Sequence, residues 1–123
     1  MDYLATTLTV RDVDASLKFY TTVLGFEEWF RWEQDGQLQA GGLRRGEGRI
    51  ILGPARGMSA DDLARRGIGT GVYIVLDGDI DALYTAVQGK AKVLTPIGDR
   101  PWGDRTFEIA DPDGYRVEVA RTL

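Results

Sequence analysis

The sequence predicts an α+β fold built from two copies of one β-α-β-β-β module. Three observations carry this. Sixteen glycines fall mostly between short apolar runs, as in a hairpin-rich sheet protein with few helices. Two stretches with helical periodicity open on matching letters, Asp12-Val13-Asp14-Ala15 and Asp79-Ile80-Asp81-Ala82. Their offset of 67 (position 79 against position 12) also carries Ile51 onto Glu118 in the last strand of each half. At 123 residues the chain suffices for one cored domain and is too short for two ordinary ones. The expected division is a first module at about 1–55, a linking helix at about 59–67 and a second module at about 69–123.

In chain order, "YLATTLTV" alternates weakly and predicts a strand with Leu4, Leu8 and Val10 near one face. "DVDASLKFYTTVLG" places Val13, Leu17, Tyr20 and Leu24 at helical spacing, with Asp12 as N-cap and Gly25 as the stop. In "FEEWFRWEQDGQLQAGGL", Asp35-Gly36 is a two-residue hairpin signal between strands, and "GRIILG" is a further strand. "GMSADDLARRG" predicts the linking helix, with Ser59 capping, Asp62 three residues on, and Gly67 as terminator. Its Arg65 and Arg66 complement the helix dipole, which explains them better than a phosphate site does. "GIGTG" precedes a strand instead of following one, so it is not a dinucleotide fingerprint. The plan then repeats: strand "GTGVYIVL", helix "DIDALYTAVQG" with Ile80, Leu83, Tyr84 and Val87 in period, and strands "AKVLTPI", "RTFEIA" and "YRVEVA". In "DPDG", Pro112 presets a turn, Asp111 bonds its backbone and Gly114 accepts a positive φ.

Composition removes whole classes of chemistry. With no cysteine and no histidine, disulfides, thiolate zinc sites and both Ser-His-Asp and Cys-His catalysis are excluded within the chain. A net charge of −4 argues against nucleic acid and suits a cationic small molecule. No stretch has the apolar length of a membrane span and the first residues lack a signal-peptide pattern, so a cytoplasmic protein is expected.

Two such modules, with Val10-Arg11-Asp12 leading into Ser16-Leu17-Lys18-Phe19-Tyr20, then Leu24-Gly25-Phe26, and Trp102-Gly103 running to Asp111-Pro112-Asp113-Gly114-Tyr115, resemble the vicinal oxygen chelate superfamily. This group contains glyoxalase I, extradiol dioxygenases, fosfomycin-resistance enzymes and bleomycin-resistance proteins. The resemblance covers nearly the whole chain and implies paired modules whose mixed sheets curl into half-barrels around a cavity. In metal-using members each module supplies one ligand from its first strand and one from its last. Those positions fall on Ala5, Ile51, Gly71 (or Val72, given the Gly78 insertion) and Glu118. Three of the four offer only alkyl groups or hydrogen, so no metal and no cofactor are expected.

Glu118 lies between Val117 and Val119. Strand alternation sends the valines toward a helix layer and Arg116, Glu118 and Ala120 toward the concave face. An ion pair with Arg105 or Arg116 and a ligand contact are both open readings. Tyr3 and Tyr73 share that face with Ala5, Thr7 and Gly71 by the same alternation. Trp29 and Trp32 are three apart, so at most one of them lines a cavity; core or dimer packing explains each tryptophan as well as a ligand platform does. The predicted ligand-binding set is therefore Tyr3, Ala5, Thr7, Trp29, Ile51, Gly71, Tyr73, Trp102, Arg105 and Glu118, with Glu118 the sole catalytic candidate.

The expected function is metal-independent binding of a planar or cationic small molecule by a homodimer, similar to the bleomycin-resistance type. The alternative is a lyase, isomerase or dioxygenase-like enzyme of the same superfamily using Glu118.

Overall fold

The structure is a computed structural model that describes residues 2–123. The chain divides into two compact units, the first ending at Arg66 and the second spanning Gly67–Leu123. In the first, the elements are β1 (Leu4–Val10), α1 (Val13–Val23), β2 (Glu27–Gln34), β3 (Gln37–Arg45), β4 (Gly48–Pro54) and α2 (Ala60–Arg65). In the second they are β5 (Gly71–Val75), α3 (Ile80–Val87), β6 (Lys92–Asp99), β7 (Asp104–Ala110) and β8 (Arg116–Thr122).

The duplication holds in topology. The sheets are four-stranded with orders β1-β4-β3-β2 and β5-β8-β7-β6. In each, the first and last strands run parallel and the other pairs antiparallel. Each is a mixed sheet that does not close into a barrel. The helix starts match atom for atom: Asp12 Oδ1 accepts from the Ala15 N–H and Asp79 Oδ1 from the Ala82 N–H, both at 3.0 Å. Each cap satisfies a backbone donor that the first helical turn leaves without an intrahelical partner.

Helix α1 buries Val13, Ser16, Leu17 and Tyr20. The matching sheet face presents Leu8, Val10, Leu43, Ile50 and Leu52, all buried. Gly41 admits the helix closely, since a Cβ there would stand 2.8 Å from a Leu17 methyl. No basic residue occupies the last turn of α1; instead Arg45 of β3 donates from Nη1 to the Leu24 and Gly25 carbonyls. Helix α3 buries only Ile80 and Val87, while its sheet contributes Phe107, Ile109, Val117 and Val119, none of them exposed. Leu4 departs from expectation. It shares alternation with Leu8 and Val10 but is 84% exposed at the start of its strand.

Helix α2 is capped as expected, with Ser59 Oγ accepting from the Asp62 N–H at 3.1 Å, and it buries no residue. The "DPDG" turn also forms: Asp111 Oδ1 accepts from the Asp113 and Tyr115 N–H groups at 2.9 Å, and Gly114 adopts φ 87°. Among the described residues, no helix is long and apolar enough to cross a membrane.

Candidate functional site

With its helix on one side, each sheet has an opposite face that the helix leaves open. Residues paired across a ladder share a face, so the register lays out what that face carries. In the first unit one row crosses Thr7, Ile51, Gly42 and Phe30. The equivalent row in the second unit crosses Tyr73, Glu118, Glu108 and Thr95. One step away, Ala5 pairs with Arg49 and Gly71 with Arg116. Position 71 therefore answers to position 5, and Gly71 rather than Val72 is the first-strand counterpart on the open face.

The row in the first unit is apolar. No side chain stands at Gly42, and the Phe30 ring fills that space; a Cβ there would meet Phe30 Cδ2 and Cε2 at 2.3 Å and Trp29 Cε3 at 3.0 Å. Tyr3, Trp29 and Phe30 form a chain of edge-to-face contacts, with centroids 5.4 Å apart for Tyr3–Trp29 and 5.1 Å for Trp29–Phe30. The Arg49 guanidinium lies 5.1 Å from the Tyr3 ring and 5.4 Å from the Trp29 ring. Its Nη1 donates to the Gly46 and Gly48 carbonyls, while its Nε is buried without a hydrogen-bond partner. Ring quadrupoles supply part of the stabilisation that missing acceptor would give.

Alternation counted from sequence misplaces the tryptophans. The β2–β3 register shifts between Glu28 and Phe30, leaving Trp29 as an extra residue beside Phe30. Trp32 then pairs with Ala40, two residues from Gly42 and on its face. Both tryptophans thus belong to the open face, Trp29 packed and Trp32 56% exposed. A bulge adds one residue to a strand and resets its alternation.

The second unit's row is polar. Glu118 stands in register between Tyr73 and Glu108, opposite in alternation to the fully buried Val117 and Val119. Arg116 Nη1 pairs with Glu108 Oε2 at 3.2 Å, and Thr95 Oγ1 donates to Glu108 Oε1 at 3.4 Å. The Tyr73 hydroxyl donates to Asp104 Oδ2 at 2.6 Å and accepts from Trp102 Nε1 at 3.1 Å. Burial, then the bond to Asp104, raises the Tyr73 phenol above its ordinary value, so it stays a donor at neutral pH. Glu118 itself makes no hydrogen bond or ion pair among the described residues. A cleft of about 170 Å³ opens there, lined by Gly71, Val72, Tyr73, Glu108, Arg116 and Glu118.

One expected placement changes. Arg105 alternates with Phe107 and Ile109, on the α3 side, where it pairs with Asp81 at 2.9 Å and Asp99 at 3.0 Å. The hydrogen bonds it donates to both carboxylates raise its already high pKa, Asp81 contributing most. It is therefore neither in the cleft nor the partner of Glu118. Ala120 keeps the face expected for it, in alternation with Glu118, and is covered there; its ladder partner Thr106 accepts from Arg100 Nε at 2.9 Å. Sequence reasoning missed Phe30, Arg49, Glu108 and Asp104. Alternation from Glu118 across a hairpin could have found Glu108; Phe30 and Arg49 gave no such signal. A larger recess of about 550 Å³ in the first unit, between the start of α1 and Gln37, Arg56 and Leu63, contains none of the predicted residues.

The metal-ligand positions suggested by resemblance, Ala5, Ile51, Gly71 and Glu118, supply one donor side chain. Among the described residues, no three His, Cys, Asp or Glu side chains converge as a metal-binding group would. This donor set does not fit a tightly held transition metal.

Two repeats of β-α-β-β-β, each with one helix-covered and one open sheet face, define a paired-module scaffold. A family model described as the Glyoxalase/Bleomycin resistance protein/Dioxygenase superfamily matches residues 2–119, and the chain belongs to that superfamily. Solved structures with the same fold include TioX from Micromonospora sp. ML1, at 22% identity over 100% of both chains and a TM-score of 0.77. TnmS3, an antibiotic binding protein from Streptomyces sp. CB03234, is 18% identical over 100% of this chain and 97% of its own, with a TM-score of 0.77. A superfamily member from Sphaerobacter thermophilus DSM 20745 is 25% identical over 98% and 97%, with a TM-score of 0.71. Comparison with curated proteins finds no match.

Proposed function

We propose that this protein is a cytoplasmic, metal-independent binder of a small planar or cationic molecule, holding an antibiotic-like ligand without transforming it. The observation that carries this reading is Glu118, a carboxylate on an open sheet face with a cleft beside it and no partner among the described residues. A partly desolvated carboxylate gains most from a ligand that supplies a charge or a donor. Tyr73, which lines the same cleft, gives flat ligand surfaces a ring to stack on. That TnmS3, an antibiotic binding protein, shares the fold supports the ligand class.

A thermal-shift screen of cationic and polyaromatic antibiotics, with the metal content of the purified protein measured in parallel, tests the reading. At least one compound should raise the melting temperature, and Glu118→Gln should weaken it by about 1–3 kcal/mol while the fold persists. A stoichiometric zinc, nickel, iron or manganese ion bound through Glu118, or turnover of the bound compound, would overturn it in favour of a lyase or isomerase.

We also propose a homodimer. Each four-stranded sheet has free edges, and Trp32, Tyr73, Val75 and Trp102 stand exposed. Sedimentation at micromolar concentration should give twice the chain mass; a monomer would refute it.

A further inference from the structure

We infer that the second unit's cleft takes a ligand group carrying a single positive charge, and that Arg116 sets that limit. The inference rests on the small-molecule reading above and narrows its chemistry.

The cleft, at about 170 Å³, is below the roughly 300–1,000 Å³ of pockets that enclose whole drug-sized molecules. It has room for a head group. Gly71 contributes to that room: a Cβ there would stand 3.1 Å from the Arg116 carbonyl oxygen and 3.6 Å from Arg116 Nη2. Three carboxylates belong to this face and each is in a different state. Asp104 accepts from the Tyr73 hydroxyl. Glu108 holds Arg116 and accepts from Thr95. Glu118, directly across the ladder from Glu108, is left over. Like charges directly opposite each other are destabilising, and Arg116 relieves this by neutralising one of the two. Of the two carboxylates that line the cleft, one negative charge then remains for a ligand; Asp104 keeps its own charge but lies outside the lining.

The surroundings of that charge suit an organic ammonium. Tyr73, the other ladder partner of Glu118, is fixed at its hydroxyl by Asp104 and Trp102, so its ring is a stationary wall. A ring face beside a carboxylate attracts an alkylated cation through both charge and quadrupole. The same position in the first unit shows that this use of the arginine belongs to the second alone. Arg49 turns to backbone carbonyls and aromatic rings, and the neighbouring row, Thr7-Ile51-Gly42-Phe30, has no carboxylate for it to neutralise; Glu27, at the end of Arg49's own row, pairs with Arg44. Arg116 is a specificity residue: with it in place the cleft counts one charge, and without it two.

The test uses choline, its neutral isostere neohexyl alcohol, and the dication hexamethylethylenediammonium, at constant ionic strength. Amide NMR shifts of Gly71, Tyr73 and Glu118 follow binding, and thermal unfolding checks that each variant folds. The unaltered protein should bind choline at least about ten-fold more tightly than neohexyl alcohol and the dication no more tightly than choline. Glu118→Gln should erase the preference for charge. Arg116→Gln should make the dication at least about ten-fold tighter than choline. Equal binding of the neutral isostere, a dication preference in the unaltered protein, no gain in Arg116→Gln, or no shift with any probe overturns the inference. An antibiotic that binds with an affinity unmoved by its charge would sink this inference and leave the binding reading standing; failure of the whole antibiotic screen would sink that reading instead.

Discussion

The two units share a frame and differ in one row of residues. Strand order, helix caps and the buried aliphatic face repeat from one to the other. Across the open faces, Thr7-Ile51-Gly42-Phe30 answers Tyr73-Glu118-Glu108-Thr95. In the first unit a glycine lets an aromatic ring lie down on the sheet, and the face packs against itself. In the second, two opposed carboxylates hold the face open, and one arginine satisfies only one of them. The frame is under folding constraints that act equally on both copies. The open faces carry no such burden, and there the copies have diverged into an apolar platform and a charged cleft.

Gly42→Ala tests that contrast with the largest expected effect. The added methyl would sit 2.3 Å from the Phe30 ring and 3.0 Å from Trp29, so both rings must shift. Overpacking of this kind costs about 1–3 kcal/mol, measurable by denaturant unfolding. A neutral outcome would mean that Phe30 does not rest on Gly42 and that the first face is as open as the second.

The shared frame was legible from sequence because local chemistry determines it. Asp12 and Asp79 stand before periodic apolar residues, Asp35-Gly36 marks a hairpin, and the 67-residue offset exposes the repeat. The turn does adopt positive φ at both positions, 54° and 74°. Most of the open-face divergence was not legible. The extra residue at Trp29 depends on how β2 registers with β3, and no local signal announces it. Arg105 looked available to Glu118 because both sit in neighbouring strands, yet alternation on β7 sends it to Asp81 across the helix side. Glu118 could be placed because it is flanked by two valines whose burial leaves it one direction only.

The two caps test whether the frame is energetically as symmetrical as it is in geometry. Asp12→Ala and Asp79→Ala each remove a bond of 3.0 Å to the third following residue. Each should cost about 1 kcal/mol in chemical denaturation, and the two values should agree within error. A markedly smaller cost at Asp79 would show that α3, which buries two side chains against the four of α1, is held less firmly by its sheet.

The smallest expected effect concerns Tyr73, which has no counterpart in the first unit because Thr7 stands there. Its phenol is raised by burial and then by the hydrogen bond to Asp104, with the Trp102 N–H acting in the opposite direction. A group whose folded value lies above its unfolded value stabilises the fold fully at pH below the unfolded value, about 10 for tyrosine. That contribution is lost as pH rises through the folded value, where a phenolate would face the Asp104 carboxylate. The stability difference between the unaltered protein and Tyr73→Phe should therefore be constant through neutral pH and shrink only above about pH 10. Since Tyr73 is 47% exposed, the change is expected to be small. Tyrosinate absorbance provides the independent check: Tyr73→Phe should remove an amplitude of one tyrosine from the part of the curve that titrates above the ordinary range. If the amplitude is lost from the ordinary range instead, Tyr73 is not locked to Asp104, and the fixed wall beside Glu118 is lost with it.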